Sequence, residues 1–212
     1  MSRVWIFDLD NTLHNASLHI FPHINRSMTA YLQQHLQLDQ PAADILRMQY
    51  WKRYGATLSG MMQHHATDPE HFLWHTHQFP QLRQMVIREP RLRSVLKKLS
   101  GKKLVFSNAP QHYARAVLRL LRVEDLFDDV FTIEHTGYRP KPQLAGFMQL
   151  LGKHRLQAAR CVMVEDSAEN LQIAKQLGMR TVWVNGTTRR PAYVDVKIRD
   201  VMQLPRTLAQ LL

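Results

Sequence analysis

Asp8 and Asp10 stand one residue apart and directly follow four apolar residues in VWIFDLDNTL, residues 4–13. A carboxylate at the edge of a core is costly unless it is paired, hydrogen-bonded or bound to a cation. Three other short stretches offer groups that could serve such a pair. Ser107 and Asn108 close VFSN, Lys141 sits in RPKP, and Glu165 and Asp166 close VMVED. Carboxylates gathered at one point repel one another unless a cation lies among them, and an all-oxygen ligand set suits Mg²⁺. A cation together with Lys141 and Ser107 makes a receptor for a phosphoryl group, with one carboxylate as nucleophile and another as acid and base. Strand alternation puts Asp8 and Asp10 on one side and turns Leu9 away. Each group also has a plain structural role. Ser107 could shape a turn before NAP, Lys141 could be a loop charge, and Asp166 could cap a helix. Jointly those plain roles would require four separate chain segments to imitate one site by chance.

Such convergence needs the segments to end on one edge of one sheet. Besides the first run, residues 102–108, 129–134, 160–166 and 180–186 read as strands. They are continuously apolar rather than alternating, which predicts a parallel sheet covered on both faces. Helical spacing fills the gaps: Leu92, Val95, Leu96 and Leu99; Ala114, Val117, Leu118 and Leu121 after Pro110; Leu144, Phe147, Met148 and Leu151 after Pro142, with Gly152 as a stop. A further helix is expected between a Ser167 N-cap and Gly178. The alternation predicts an α/β fold with a doubly wound parallel sheet. Residues 15–88 hold no convincing strand. They read as a helical cap domain inserted after strand one, with residues 1–14 and 89–212 forming the core domain. Ligands of such sheets bind at the carboxyl ends of the strands.

DLDNTL resembles the first motif of the haloacid dehalogenase (HAD) superfamily, D-x-D-x-T. VFSN, the Lys of RPKP and VED resemble the second, third and fourth motifs, in the same order. The resemblance covers the whole chain. It implies a Rossmann-like core and a Mg²⁺-dependent phosphomonoester hydrolase acting through an aspartyl-phosphate on Asp8. Asp10 would protonate the leaving oxygen and then activate water. Ser107 and Lys141 would hold the phosphoryl oxygens, with Asn108 beside them, and Thr12 would brace the loop. Asp8, the Asp10 carbonyl and Asp166 would bind Mg²⁺. Glu165 stands where many relatives carry Gly or Asp. Asp10 favours a phosphatase over a dehalogenase, because a departing halide needs no proton and an alkoxide does. A sugar-phosphate phosphatase or a phosphomutase uses the same pair.

The cap narrows the expectation. YWKRYGATLSGMMQHHATDPEHFLWHTHQF, residues 50–79, resembles the pyrimidine 5′-nucleotidase branch, as does the C-terminal TVWVNG…PAYVDVKIRDVMQLP. This implies a pyrimidine nucleoside 5′-monophosphate as substrate, with Tyr54, Gly55 and Thr57 lining the entrance. Of the cap aromatics Tyr50, Trp51, Tyr54, Phe72 and Trp74, most are expected in the cap core, and one or two could stack on a base.

The chain of 212 residues carries twenty-eight Lys and Arg against seventeen Asp and Glu, a net +11. Such a surface attracts anions. A nucleic-acid-binding module is the rival from another class: seven basic residues lie in 88–103. The apolar face in the same segment argues for an ordinary solvated helix. Five His fall between His64 and His77, and His71 and His75 share a helix face without the spacing of a zinc motif. Cys161 is alone in an apolar run and reads as a buried small hydrophobe, which together with the absence of a separate apolar leader before strand one suggests a cytoplasmic protein. No run approaches the ~20 apolar residues of a membrane span.

Overall fold

β1 (Val4–Phe7) lies inside a six-stranded sheet with β2 (Lys102–Phe106), β3 (Asp129–Phe131), β4 (Cys161–Glu165), β5 (Arg180–Val184) and β6 (Val196–Ile198). The computed structural model describes residues 3–188 and 190–211; residues 1, 2, 189 and 212 of the expected core lie outside them. The strand order is β3-β2-β1-β4-β5-β6 and every pairing is parallel. This is the doubly wound arrangement that the apolar runs predicted. β6 was not anticipated, since VKI is a three-residue edge strand with a half-exposed Lys at its centre. β3 is shorter than expected, because residues 133–136 close into a 3₁₀ turn.

Both faces of the sheet are buried, which explains the continuous hydrophobicity. Trp5, Phe7, Val105, Val162 and Val164 point into one apolar cluster, and Ile6, Leu104, Phe106, Phe131 and Met163 into another.

Between β1 and β2 the chain forms α1 (Ile20–Leu36), α2 (Gln40–Tyr54), α3 (Thr57–His65), α4 (Pro69–Thr76) and α5 (Leu82–Met85). Local signals set their limits. The Asp39 side chain accepts from the Ala42 amide to start α2, and Asp68 accepts from the Glu70 and His71 amides to start α4, each with a proline in the first turn. Gly55 ends α2 at φ +79. These helices bury Tyr31, Leu32, Ala43, Leu58, Met61, Phe72 and Leu73 in their own cluster, which also takes in Ile133 from the turn after β3. Two expected cap-core aromatics are on the surface instead: Trp51 is 60% and Trp74 56% exposed.

The remaining helices are α6 (Leu92–Lys97), α7 (Gln111–Leu121), α8 (Leu144–His154), α9 (Ala168–Gln176) and α10 (Leu208–Leu211). α6 and α7 cover the Trp5–Phe7 face; α8 and α9 cover the other. Ser167 caps α9 as predicted, accepting from the Asn170 amide. α8 departs from its expectation. It runs through Gly152 and stops at Arg155, which adopts a left-handed conformation. Its buried face is Gly146, Phe147, Leu150 and Leu151, so Leu144 and Met148 are exposed. Cys161 is buried, and burial pushes its thiol up to about 11. No helix among the described residues is long and apolar enough to cross a membrane.

Candidate active site

The strand order reverses between β1 and β4, the position where open α/β sheets bind ligands beyond the strand ends. Asp8 follows β1 there and its amide bonds the Val164 carbonyl at 2.9 Å. Lys141 arrives from the loop after β3. Its backbone is held by Asn108, which accepts from the Lys141 amide at 2.7 Å and donates to the Lys141 carbonyl at 3.0 Å. The Lys141 ammonium donates to Asp8 Oδ1 at 2.8 Å, to the Phe106 carbonyl at 2.8 Å and to Glu165 Oε2 at 2.7 Å. All three of its hydrogens are engaged. Burial works against its charge, but Asp8 and Glu165 overcome that and raise its pKa.

Glu165 is equally committed. Oε1 accepts from the Asp166 and Ser167 amides, and Oε2 accepts from Lys141 and from Asn170 Nδ2 at 3.0 Å. A carboxylate offers about four acceptor positions, and here four donors meet them. Burial, the Glu165 charge and Asp166 together raise the Asp8 pKa well above the carboxylate range, against the pull of Lys141. Burial, followed by the adjacent Glu165 carboxylate, raises Asp166 to about 7.

Asp10 faces elsewhere. Its Oδ1 accepts from the Tyr113 hydroxyl at 2.6 Å and lies 2.9 Å from His14 Nε2. Burial and Asp10 raise the Tyr113 pKa, so this hydroxyl keeps its proton. Asn11, at φ 61, turns the chain between the two carboxylates and His14, and its Oδ1 accepts from the Ala16 and Ser17 amides. Ser107 Oγ accepts from the Ala109 amide at 3.0 Å, which leaves its own hydrogen to donate. The Thr12 hydroxyl is buried without a hydrogen-bond partner among the described residues, so the bracing expected of it has no hydrogen bond behind it.

Two residues at this site had no sequence signal strong enough to find them. His14 is four residues from Asp10 but meets it only because Asn11 reverses the chain. Tyr113 is on α7, five residues after Asn108, and nothing local points it at β1. Tyr54, Gly55 and Thr57 are not brought to these groups. Tyr54 bonds His64, Thr57 bonds the Arg47 carbonyl, and Gly55 makes the bend between α2 and α3. The cap groups that do come close belong to the segment after α4: Phe79 and His77 pack on Tyr113 with ring centroids 5.1 and 5.9 Å away.

The sequence profile of the haloacid dehalogenase-like hydrolases matches residues 5–184, most of the chain and all four motif segments. The chain belongs to that family. It is similar to Phosphate metabolism protein 8 of Saccharomyces cerevisiae, at 24% identity over 194 residues, 84% of this chain. The chain spans only 60% of the length of that relative. Among solved structures it resembles a HAD phosphatase from Thermococcus onnurineus, with TM-score 0.65 and 22% identity over 99% of both chains. It resembles a 2-haloacid dehalogenase from Pseudomonas syringae almost equally, with TM-score 0.64 and 22% identity over 99% of both chains. A HAD hydrolase of Bacillus subtilis bound to magnesium gives 0.61 and 16% over 98% of both. At these identities the likeness establishes the fold, and the side chains must decide the chemistry.

The site of this haloacid dehalogenase-like hydrolase suits a hard cation. Asp8, Glu165 and Asp166 offer carboxylate oxygens that all lie within 4.8 Å of one another. Burial first, and then the excess of negative charge that one Lys⁺ leaves among the buried Asp8 and Glu165 and the half-buried Asp166, raises the pKa of both Asp8 and Asp166, so both tend to hold protons. A divalent ion could take the place of those protons. With Glu165 already saturated by donors, Asp8 and Asp166 are the carboxylates with room for it. The Asp10 carboxylate is outside this group, so only its backbone carbonyl could join.

Proposed function

We propose that the protein is a Mg²⁺-dependent phosphomonoester hydrolase, with a pyrimidine nucleoside 5′-monophosphate as its preferred substrate. The observation that carries the phosphatase reading is the division of labour between two carboxylates. Asp8 is anchored by Lys141 through one oxygen and keeps the other for attack. Asp10 is held apart on its own donors, where it can exchange a proton with the leaving group. A dehalogenase has no use for the second carboxylate, and the near-equal likeness to both enzyme types in fold does not choose between them.

In the first step Asp8 forms a bond to phosphorus as the bond from phosphorus to the leaving oxygen breaks, and Asp10 gives that oxygen a proton. In the second, Asp10 takes a proton from water, whose oxygen attacks the phosphoryl group, releasing phosphate and restoring Asp8. Mg²⁺, which Asp8, Asp166 and the Asp10 carbonyl would hold, supplies positive charge for the phosphoryl oxygens. Ser107 donates its free hydroxyl hydrogen to one of them. Lys141 fixes Asp8, and it reaches the phosphoryl group by exchanging one of its three bonds.

The nucleotide assignment rests on the cap, since discrimination among phosphate monoesters must come from contacts to the leaving group. The support is the resemblance of residues 50–79 and the aromatic and His groups beside Tyr113. Phosphate release from UMP, CMP, AMP, glucose 6-phosphate, phosphoglycolate and p-nitrophenyl phosphate, with Mg²⁺, tests it. UMP or CMP should show the highest kcat/KM. Faster hydrolysis of hexose phosphates or phosphoglycolate, with inert pyrimidine nucleotides, would refute the nucleotidase assignment and leave the phosphatase reading standing. Treatment with EDTA should abolish turnover and Mg²⁺ should restore it; full activity after thorough chelation would rule out the metal.

A further inference from the structure

We propose that His14 and Tyr113 are positioning residues that clamp one oxygen of Asp10 and so dedicate its other oxygen to proton exchange with the leaving group. The proposal rests on the phosphatase reading above and adds to it the groups that aim the acid.

Both bonds converge on Oδ1, from the Tyr113 hydroxyl at 2.6 Å and His14 Nε2 at 2.9 Å, and no protein donor among the described residues meets Oδ2. The donors come from unconnected parts of the chain: the loop leaving β1 and the first turn of α7. Two donors at one oxygen fix both the position and the rotation of the carboxylate, where a single one would leave it free to turn.

Neither residue has another polar task. The His14 side chain is fully buried, and its Nδ1 has no hydrogen-bond partner. With Nδ1 unpartnered, the ring proton belongs on Nε2, facing Asp10. An unpaired buried nitrogen is a liability that an apolar residue of similar size would avoid. The one polar contact the ring makes is the bond to Asp10. Tyr113 is likewise buried, and its hydroxyl bonds Asp10. Its ring is wedged by Phe79 and His77, so the clamp is itself held in place by the segment returning from the cap. When Asp10 releases its proton through Oδ2, the charge left behind falls on a carboxylate whose two donors are already aligned.

The test compares leaving groups. p-Nitrophenolate departs without a proton, whereas the ribose oxygen of UMP, or of whichever alkyl phosphate the wild type turns over best, needs one. Because kcat/KM reports on departure of the leaving group, it isolates the acid role from the later attack of water. Tyr113→Phe and His14→Leu should each lower kcat/KM for the alkyl phosphate about ten-fold or more, a fraction of what a general acid supplies. The loss should lie mostly in kcat, and the loss on p-nitrophenyl phosphate should be several times smaller. His14→Gln keeps a donor near the same place and should recover most of the alkyl phosphate activity. His14→Leu should melt no lower than the wild type. Equal losses on the two substrates, or an unchanged rate on the alkyl phosphate, would overturn the clamp while leaving the phosphatase reading intact. A wild type inactive on every phosphate ester would overturn that reading and the clamp with it.

Discussion

Lys141 is the single residue on which the arrangement of the site depends most. It is 3% exposed and donates to Asp8, Glu165 and the Phe106 carbonyl. Lys141→Ala would leave two buried carboxylates facing each other without a counter-charge, a kind of loss that costs about 3–5 kcal/mol. The denaturation midpoint should fall accordingly, and a shift worth less than about 1 kcal/mol would show that the pair is already protonated or hydrated. Asp8→Asn should act in the opposite sense. It removes one of three crowded carboxylates, so the protein should fold at least as stably while losing nearly all turnover, because an amide is a poor nucleophile. Normal activity in a folded Asp8→Asn protein would refute the assignment of the nucleophile. Asp8 was legible in the sequence because it ends an apolar run where a charge is costly; Lys141 and Asp166, each readable alone as a loop charge or a helix cap, were legible only through their joint occurrence with it. Glu165 was legible as a presence but not as a role. Its four donors come from Lys141, Asn170 and two backbone amides, and only the folded chain shows that they saturate it. The partners of Asp10 were hidden for a related reason: a Tyr on the first turn of a helix carries no mark of the strand it will touch.

The segment after α4 shows how an element can carry a pH dependence. His77 is buried there, and burial first, then the charge of His112, holds its pKa down to about 4; Asp10 opposes them. The sign follows from the unfolded reference of about 6.5. Above that value His77 is neutral in both states and its contribution is complete. Between about 6.5 and about 4 the unfolded chain binds a proton that the folded one refuses, so stability is lost as pH falls, by up to about 3 kcal/mol. Melting temperature against pH should therefore drop less steeply between pH 6.5 and 4 in His77→Gln than in the wild type; parallel curves would remove His77 as the cause. The α2–α3 pair offers a second test. A Cβ on Gly60 would lie 2.2 Å from Tyr50 Cγ. Alanine is favoured over glycine in a helix by about 1 kcal/mol, but that contact forces the helices apart or the ring out of place. Gly60→Ala should destabilise by about 1–3 kcal/mol, read as a lower midpoint in denaturant; an increase would mean the ring moves freely. Elements of this kind were legible where capping and apolar spacing agree, as in α9. They were misjudged in α8, where Leu144 and Met148 fit the spacing but the buried face is centred one residue earlier, and Gly152 was read as a stop although the left-handed turn falls at Arg155.

Across the whole molecule the net charge of +11 should draw a phosphate ester toward the site from beyond contact range. The Debye length shrinks from about 30 Å at 0.01 M salt to about 8 Å at 0.15 M. kcat/KM for p-nitrophenyl phosphate should fall several-fold across that range, mainly through KM, since steering acts on encounter. A flat response would mean that the basic surface is irrelevant to the reaction. The overall architecture was legible because a sheet buried on both faces leaves unbroken apolar runs. The small edge strand β6 was not, because three residues with a Lys at the centre do not. The order of the strands has one more consequence, for the history of each molecule and not for its finished form. β1 pairs with β2, about a hundred residues later, and with β4, about a hundred and sixty residues later. A ribosome adds roughly 5–20 residues per second. The first strand therefore emerges with neither neighbour yet made, and stays an unpaired, sticky ribbon for on the order of ten seconds. The helices that follow it can gather around most of their own apolar cluster in the meantime. A newborn chain of this protein is thus most in need of a chaperone along β1, on the residues that lead to Asp8, until β2 and β4 have been made.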